Sequence, residues 1–158
     1  MFRLEVIMTT DVITVSLSTT LAEARSVMKE HRIRHLPVVN ESEELICLLT
    51  QSDVLAATDS ILRDEDNRIR AKEISIKDVM VTKVATVREN ASLRQAALFL
   101  EKHRIGCLPV VTDGKLVGII TDTDFVGVAI NLLEQIEELE PIDEEFAEEI
   151  VDEFEEED

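Results

Sequence analysis

Residues 31–39 read HRIRHLPVV, and residues 103–111 read HRIGCLPVV. The two runs agree at seven of nine positions, 72 residues apart. Such a match points to an internal duplication, which decides the architecture before any single element does. Working outward, Met8, Thr10, Val12, Thr14, Val15, Leu21 and Ala24 recur at the same offset. The second copy then loses one residue in a turn, and Leu45, Thr50 and Asp53 recur as Leu116, Thr121 and Asp124. The duplication covers 8–58 and 80–130. A unit of about 50 residues buries a core poorly alone, so the copies are expected to pack on each other.

Local signals agree between the copies. DVITV and KVATV are β-branched and short, as strands are. Leu93, Ala96, Ala97 and Leu100 fall at i, i+3, i+4 and i+7, one face of a helix. Ser18 or Thr20 fits the start of the first helix, and Asn90 or Ser92 the start of its counterpart; Thr20–Glu23 and Ser92–Gln95 also fit a capping box. HLPVVN and CLPVVT follow as strands with Pro at the entry, where a missing N–H costs little. The turns NESEE and TDGK lead to the apolar strands LICLLT and KLVGIIT, then to the helical stretches QSDVLAAT and DTDFVGVAI. The expected order is β-α-β-β-α, twice, an α/β (α+β) fold. The charged stretch from Ser60 to Asp78 is expected to extend the preceding helix and bridge to the second copy.

Composition narrows the function. Aromatic residues make up 3% of the 158, with no Trp and no Tyr, so Val, Ile, Leu and Ala must build the core. No run of about 18 apolar residues suggests a membrane span. MFRLEVIMTTD lacks the basic and apolar regions of a signal peptide, so a cytoplasmic location is expected. The net charge is −18, but residues 134–158 hold 15 acidic residues and no Lys or Arg. The remaining 133 residues are nearly balanced, with 19 acids and 16 bases. With no basic stripe and no stacking aromatics, nucleic acid and anionic membranes are not expected partners. Cys47 and Cys107 lie far apart in apolar runs, as buried thiols do.

No GxSxG, HExxH, P-loop or CxxC motif is present, so no enzyme is expected. His31 and His103 occupy equivalent places near a helix end, where a cation or donor suits the last carbonyls. What recurs is a set able to hold a sugar and a phosphate. Thr50, Ser52 and Asp53, and likewise Thr121, Thr123 and Asp124, sit where an apolar strand gives way to a helix. The N–H groups of a helix N-terminus suit an anion, and a carboxylate suits two vicinal ribose hydroxyls. The alternative is that Thr and Asp simply cap the helix, and duplication alone does not separate the two.

The repeated pattern of TV, a helix, HRI-x-x-LPVV, a turn and a strand ending in T-x-[ST]-D resembles a tandem pair of CBS domains, a Bateman module. The KDVM run at 77–80 fits as well. The resemblance covers about 8–130. It implies repeats at 1–60 and 78–131, a linker at 61–77 and an acidic helix or tail at 132–158. It further implies packing about a pseudo-twofold axis, with two clefts for an adenosine compound such as AMP, ADP, ATP or S-adenosylmethionine, and commonly a homodimer. The family's ribose-binding Asp falls on Asp53 and Asp124. Its hydroxyl phosphate contacts fall on Thr50 and Ser52, and on Thr121 and Thr123. Ile13 with Ile33, and Ala85 with Ile105, take the adenine-facing positions, and Ile119 joins the ligand set. The pair before LP faces the ligand phosphates, here Arg34–His35 and Gly106–Cys107. On this reading the two changed letters make the clefts unequal. The family has Gly where this chain has Cys47, which is expected to narrow the cleft served by Thr50 and Asp53. The cleft of Thr121, Thr123 and Asp124, reached by Arg34, is therefore the expected main site. No cofactor is obligatory, though Mg²⁺ can accompany the phosphates.

In the tail, Ile142, Phe146, Ile150 and Phe154 recur every four residues among dense carboxylates. The stretch reads either as a solubilising extension or as an amphipathic helix that docks a protein partner. The expected function is an adenosine-nucleotide sensor. The competing readings are a non-catalytic interaction scaffold with structural or empty clefts, and an enzyme with an unrecognised site.

Overall fold

The computed structural model describes residues 3–62, 74–80 and 83–138. The expected acidic-tail helix, and most of the expected bridge between the copies, lie outside the described residues. The chain divides into two units, Met1–Asp122 and Thr123–Asp158. The first holds helices α1 (Leu21–His31), α2 (Gln51–Leu62) and α3 (Leu93–His103), and strands β1 (His35–Val39), β2 (Leu45–Thr50), β3 (Cys107–Thr112) and β4 (Lys115–Thr121). Helix α4 (Asp122–Glu137) leads into the second unit.

Each repeat builds one antiparallel hairpin, β1–β2 or β3–β4. Both carry a bulge at the same place, between Val38 and Val39 and between Val110 and Val111. The expected first strands are shorter than the sequence suggests. Each makes a single parallel bridge, Val15 to Val38 and Val87 to Val110. The Val15 amide donates to the Pro37 carbonyl at 3.1 Å, and the Val39 amide to Val15 at 2.9 Å. Beyond Val15 the chain turns at once, with Thr19 N–H bonded to the Ser16 carbonyl, so the ladder ends there. The turns of the two hairpins pair with each other across Glu44 and Lys115.

The helix starts settle on the second of the two registers. Thr20 and Glu23 form a reciprocal capping box, as do Ser92 and Gln95. Each box satisfies two amides that the helix leaves open. Both helices end on an arginine in the left-handed region, Arg32 at φ 53° and Arg104 at φ 51°. Its amide and the next one close back onto the last turn: Ile33 N–H donates to Met28 at 3.0 Å and Ile105 N–H to Leu100 at 3.2 Å. That closure explains the recurring HRI: a basic last turn, a left-handed cap, then an apolar residue returning to the protein.

The repeats exchange their leading segments. The 3-10 turn Ile76–Asp78 opens the second copy, yet Ile76 is fully buried with Leu21, Ala24, Met28, Leu36, Val38, Cys47, Leu49 and Val54 of the first. Leu21 N–H donates to Ile74, and Ile76 N–H to Thr19. The matching turn Leu4–Val6 reaches the second copy, where Leu4 N–H donates to Ala91 and Arg3 bridges Ser92. Two units too small to stand alone thus complete each other.

Candidate functional site

Hairpin register builds the site. In β1–β2 the first residue of one strand faces the last of the other, so His35 lies opposite Thr50. In β3–β4 the same geometry sets Cys107 opposite Thr121. Backbone bonds repeat the match: Gln51 N–H donates to Arg34 at 2.8 Å, and Asp122 N–H to Gly106 at 3.0 Å. The segment before LP in each copy is thereby tied to the start of the helix that follows.

These two segments meet. A Cβ on Gly106 would lie 3.2 Å from Asp122 Oδ2 and 3.3 Å from His35 Cε1. Glycine at 106 therefore admits two side chains of its neighbours. Arg34, its counterpart, is exposed and lies 3.9 Å from Asp122 Oδ1. An exposed pair of this kind contributes about 0–1 kcal/mol. Burial first, and then the Arg34 charge, lower the pKa of His35, while Asp122 partly opposes them.

A cavity of about 540 Å³ opens beside this junction. One wall is Leu48, Thr50, Ser52 and Asp53 with His35; the other is Lys83, Val84, Ala85, Arg104, Ile105, Gly106 and Cys107. The Thr–Asp pair does cap its helix. Thr50 Oγ1 donates to Asp53 Oδ2 at 2.6 Å and accepts from Asp53 N–H at 3.2 Å. The Thr50 amide also donates to Oδ2, at 3.2 Å. Two of these three bonds end on the same carboxylate oxygen and fix the group, which leaves Oδ1 for a ligand diol. Capping and ligand binding are compatible here.

Of the expected residues, the cavity gathers His35, Thr50, Ser52, Asp53, Ala85, Ile105, Gly106 and Cys107. Arg34 lies at its margin through Asp122 rather than in its wall. Ile13 and Ile33 pack on the core of the first copy. Ile119 is buried and exchanges two backbone bonds with Thr9, each 2.9 Å. Thr121 ends β4, and Thr123 and Asp124 occupy the first turn of α4. Cys47 does not narrow the cavity. It is fully buried and alternates with Leu48 and Thr50, which face the cavity while Cys47 and Leu49 face the core. Burial raises its thiol to about 11. Sequence reasoning missed Leu48, Lys83, Val84 and Arg104. Each is a near neighbour of a residue it named, and Leu48 was available from the period of two alone.

A family model described as CBS domain matches the chain twice, at residues 4–60 and 76–131. The chain belongs to the CBS domain family and carries the domain as a tandem pair. Three solved structures place it further. A Vibrio cholerae protein provisionally named for acetoin utilization (AcuB) is 42% identical, with 89% of this chain and 99% of that one covered and a TM-score of 0.76. CBSX2, solved in complex with AMP, is 28% identical over 84% and 98%, with a TM-score of 0.71. The CBS domain pair of MJ0100, solved with 5′-methylthioadenosine and S-adenosyl-L-methionine, is 26% identical over 80% and 98%, with a TM-score of 0.67. The first curated relatives are 28–36% identical, and the matched stretch spans 63–92% of their lengths. No helix among the described residues is long and apolar enough to cross a membrane.

Proposed function

We propose that this chain is a regulatory module that binds an adenosine nucleotide in the cavity beside Asp53. The observation that carries the reading is the pairing of two unlike walls in one space of about 540 Å³. The polar wall of Thr50, Ser52 and Asp53 suits ribose and phosphate, with the N-terminus of α2 adding its amides. The wall of Ala85 and Ile105 suits the base. Gly106, Cys107 and His35 lie between them, with Arg34 within reach of a phosphate. AMP in CBSX2, and methylthioadenosine and S-adenosylmethionine in MJ0100, support an adenosine ligand. Thr121, Thr123, Asp124 and Ile119 form the second set, Ile13 and Ile33 its base-facing positions, and Mg²⁺ can accompany the phosphates.

The proposed role is control rather than catalysis, by a cytoplasmic homodimer. Repeats at 1–60 and 78–131 are joined by the linker 61–77, and the acidic segment 132–158 docks a protein partner. A regulatory effect requires different ligand affinity for two states of the module. Titration calorimetry with AMP, for the wild type and for Asp53→Ala, tests the reading. Saturable binding that the substitution abolishes supports it. No binding of AMP, ADP, ATP or S-adenosylmethionine at millimolar concentration overturns it in favour of an interaction scaffold.

A further inference from the structure

We infer that this cavity selects adenosine ligands carrying an anionic phosphate over those carrying a cationic sulfonium. The inference rests on the adenosine reading above and narrows its ligand class. Its ground is the charge of the wall. Among the described residues, Lys83 and Arg104 line the cavity with His35, against the single carboxylate of Asp53. With His35 neutral these described lining residues still carry one net positive charge, within a chain whose formal charge is −18. The Asp122 carboxylate, close to Gly106, is faced by the Arg34 guanidinium at 3.9 Å, and Asp122 is not part of the cavity lining. The two bonds that the Thr50 amide and hydroxyl donate to Asp53 Oδ2 offset part of its negative charge. The helix that begins at Gln51 adds a partial positive charge at the same wall.

An ester phosphate brings about −1.5 to −2 at neutral pH. A sulfonium brings a fixed positive charge into a wall that is already positive. Methylthioadenosine has the same base and ribose with an uncharged sulfur, and so isolates the electrostatic contribution. Lys83 and Arg104 are both exposed, and Arg104 already holds a left-handed backbone without glycine, so both accept replacement by an uncharged chain. Their exposure also makes the preference sensitive to salt.

Binding of AMP, methylthioadenosine and S-adenosylmethionine is measured by calorimetry on the full chain, at low and at high salt. AMP is expected to bind tightest and S-adenosylmethionine weakest, with at least about a tenfold gap between them at low salt. High salt should shrink the gap, and Lys83→Met with Arg104→Met should shrink it further, with AMP losing more affinity than methylthioadenosine. Equal or tighter binding of S-adenosylmethionine overturns the selection and leaves the adenosine reading standing. A gap untouched by the double substitution overturns its assignment to these side chains. Failure of all three ligands at millimolar concentration overturns the adenosine reading itself.

Discussion

Replacing Ile76 by alanine tests the exchange of segments that makes two repeats one structure. Ile76 belongs to the leading turn of the second copy and is fully buried in the core of the first. The substitution deletes three carbons. At about 0.8 kcal/mol each, their return to water costs about 2.5 kcal/mol. The cavity left among Leu21, Leu36, Cys47 and Val54 adds about 1–2 kcal/mol, because those neighbours relax only in part. The total is about 4 kcal/mol, a large share of the 5–15 kcal/mol typical of a domain. Urea unfolding followed by circular dichroism reads it out. With a slope of about 2 kcal/mol per molar, the midpoint should fall by about 2 M. The transition should stay single, because the core that loses Ile76 is built from both copies. Val6→Ala, in the matching turn but 68% exposed, should move the midpoint little. A shift below about 0.5 M for Ile76→Ala would refute the reasoning. So would two resolved transitions in the wild type.

Gly106→Val places a branched side chain where a Cβ alone would lie 3.2 Å from Asp122 and 3.3 Å from His35. It should cost about 1–3 kcal/mol in the same unfolding assay and weaken AMP binding by about tenfold; unchanged stability and affinity would show that the junction is loose. His35 has its folded pKa lowered below the ordinary 6.5 by burial and Arg34. Its unfolded form therefore takes up a proton first on acidification, and wild-type stability should fall as pH drops through about 6.5 relative to His35→Asn. Parallel urea curves at pH 7.5 and 5.5 check this, and a gap that stays constant contradicts it. Cys47 is fully buried, with its thiol raised to about 11, so in the native protein it should resist a thiol reagent at pH 8 and react once unfolded. Native labelling at the rate of a free thiol, located by mass spectrometry, would contradict its burial.

Much of this was legible because the chain repeats itself. Identities at fixed spacing gave the duplication, the two hairpins and the places of the helices. They also singled out Thr50–Asp53 and Thr121–Asp124 as equivalent pairs, of which the second was the expected main site. The left-handed arginines that end α1 and α3 were not legible, since a cap conformation is set by how the chain must return to the core. The segment exchange was hidden for a similar reason. Leu4 and Ile76 look like ordinary apolar residues at the edge of a repeat, and only their destinations distinguish them. The inference about Cys47 failed on a point the sequence did contain. A strand sends alternate residues to opposite faces, so a side chain at 47 cannot crowd the space that Leu48 and Thr50 line. Lys83 and Arg104 were out of reach for a different reason: their relation to Asp53 exists only once the two copies pack.

The central claim is that one space, walled by both repeats, holds an adenosine nucleotide with its ribose on Asp53. A crystal structure of the full chain grown with AMP tests it most directly. The account predicts the ribose diol on the Asp53 carboxylate, the base between Ala85 and Ile105, and the phosphate toward His35 and Gly106. An AMP molecule bound elsewhere, or a cavity that stays without nucleotide at millimolar AMP, would contradict it.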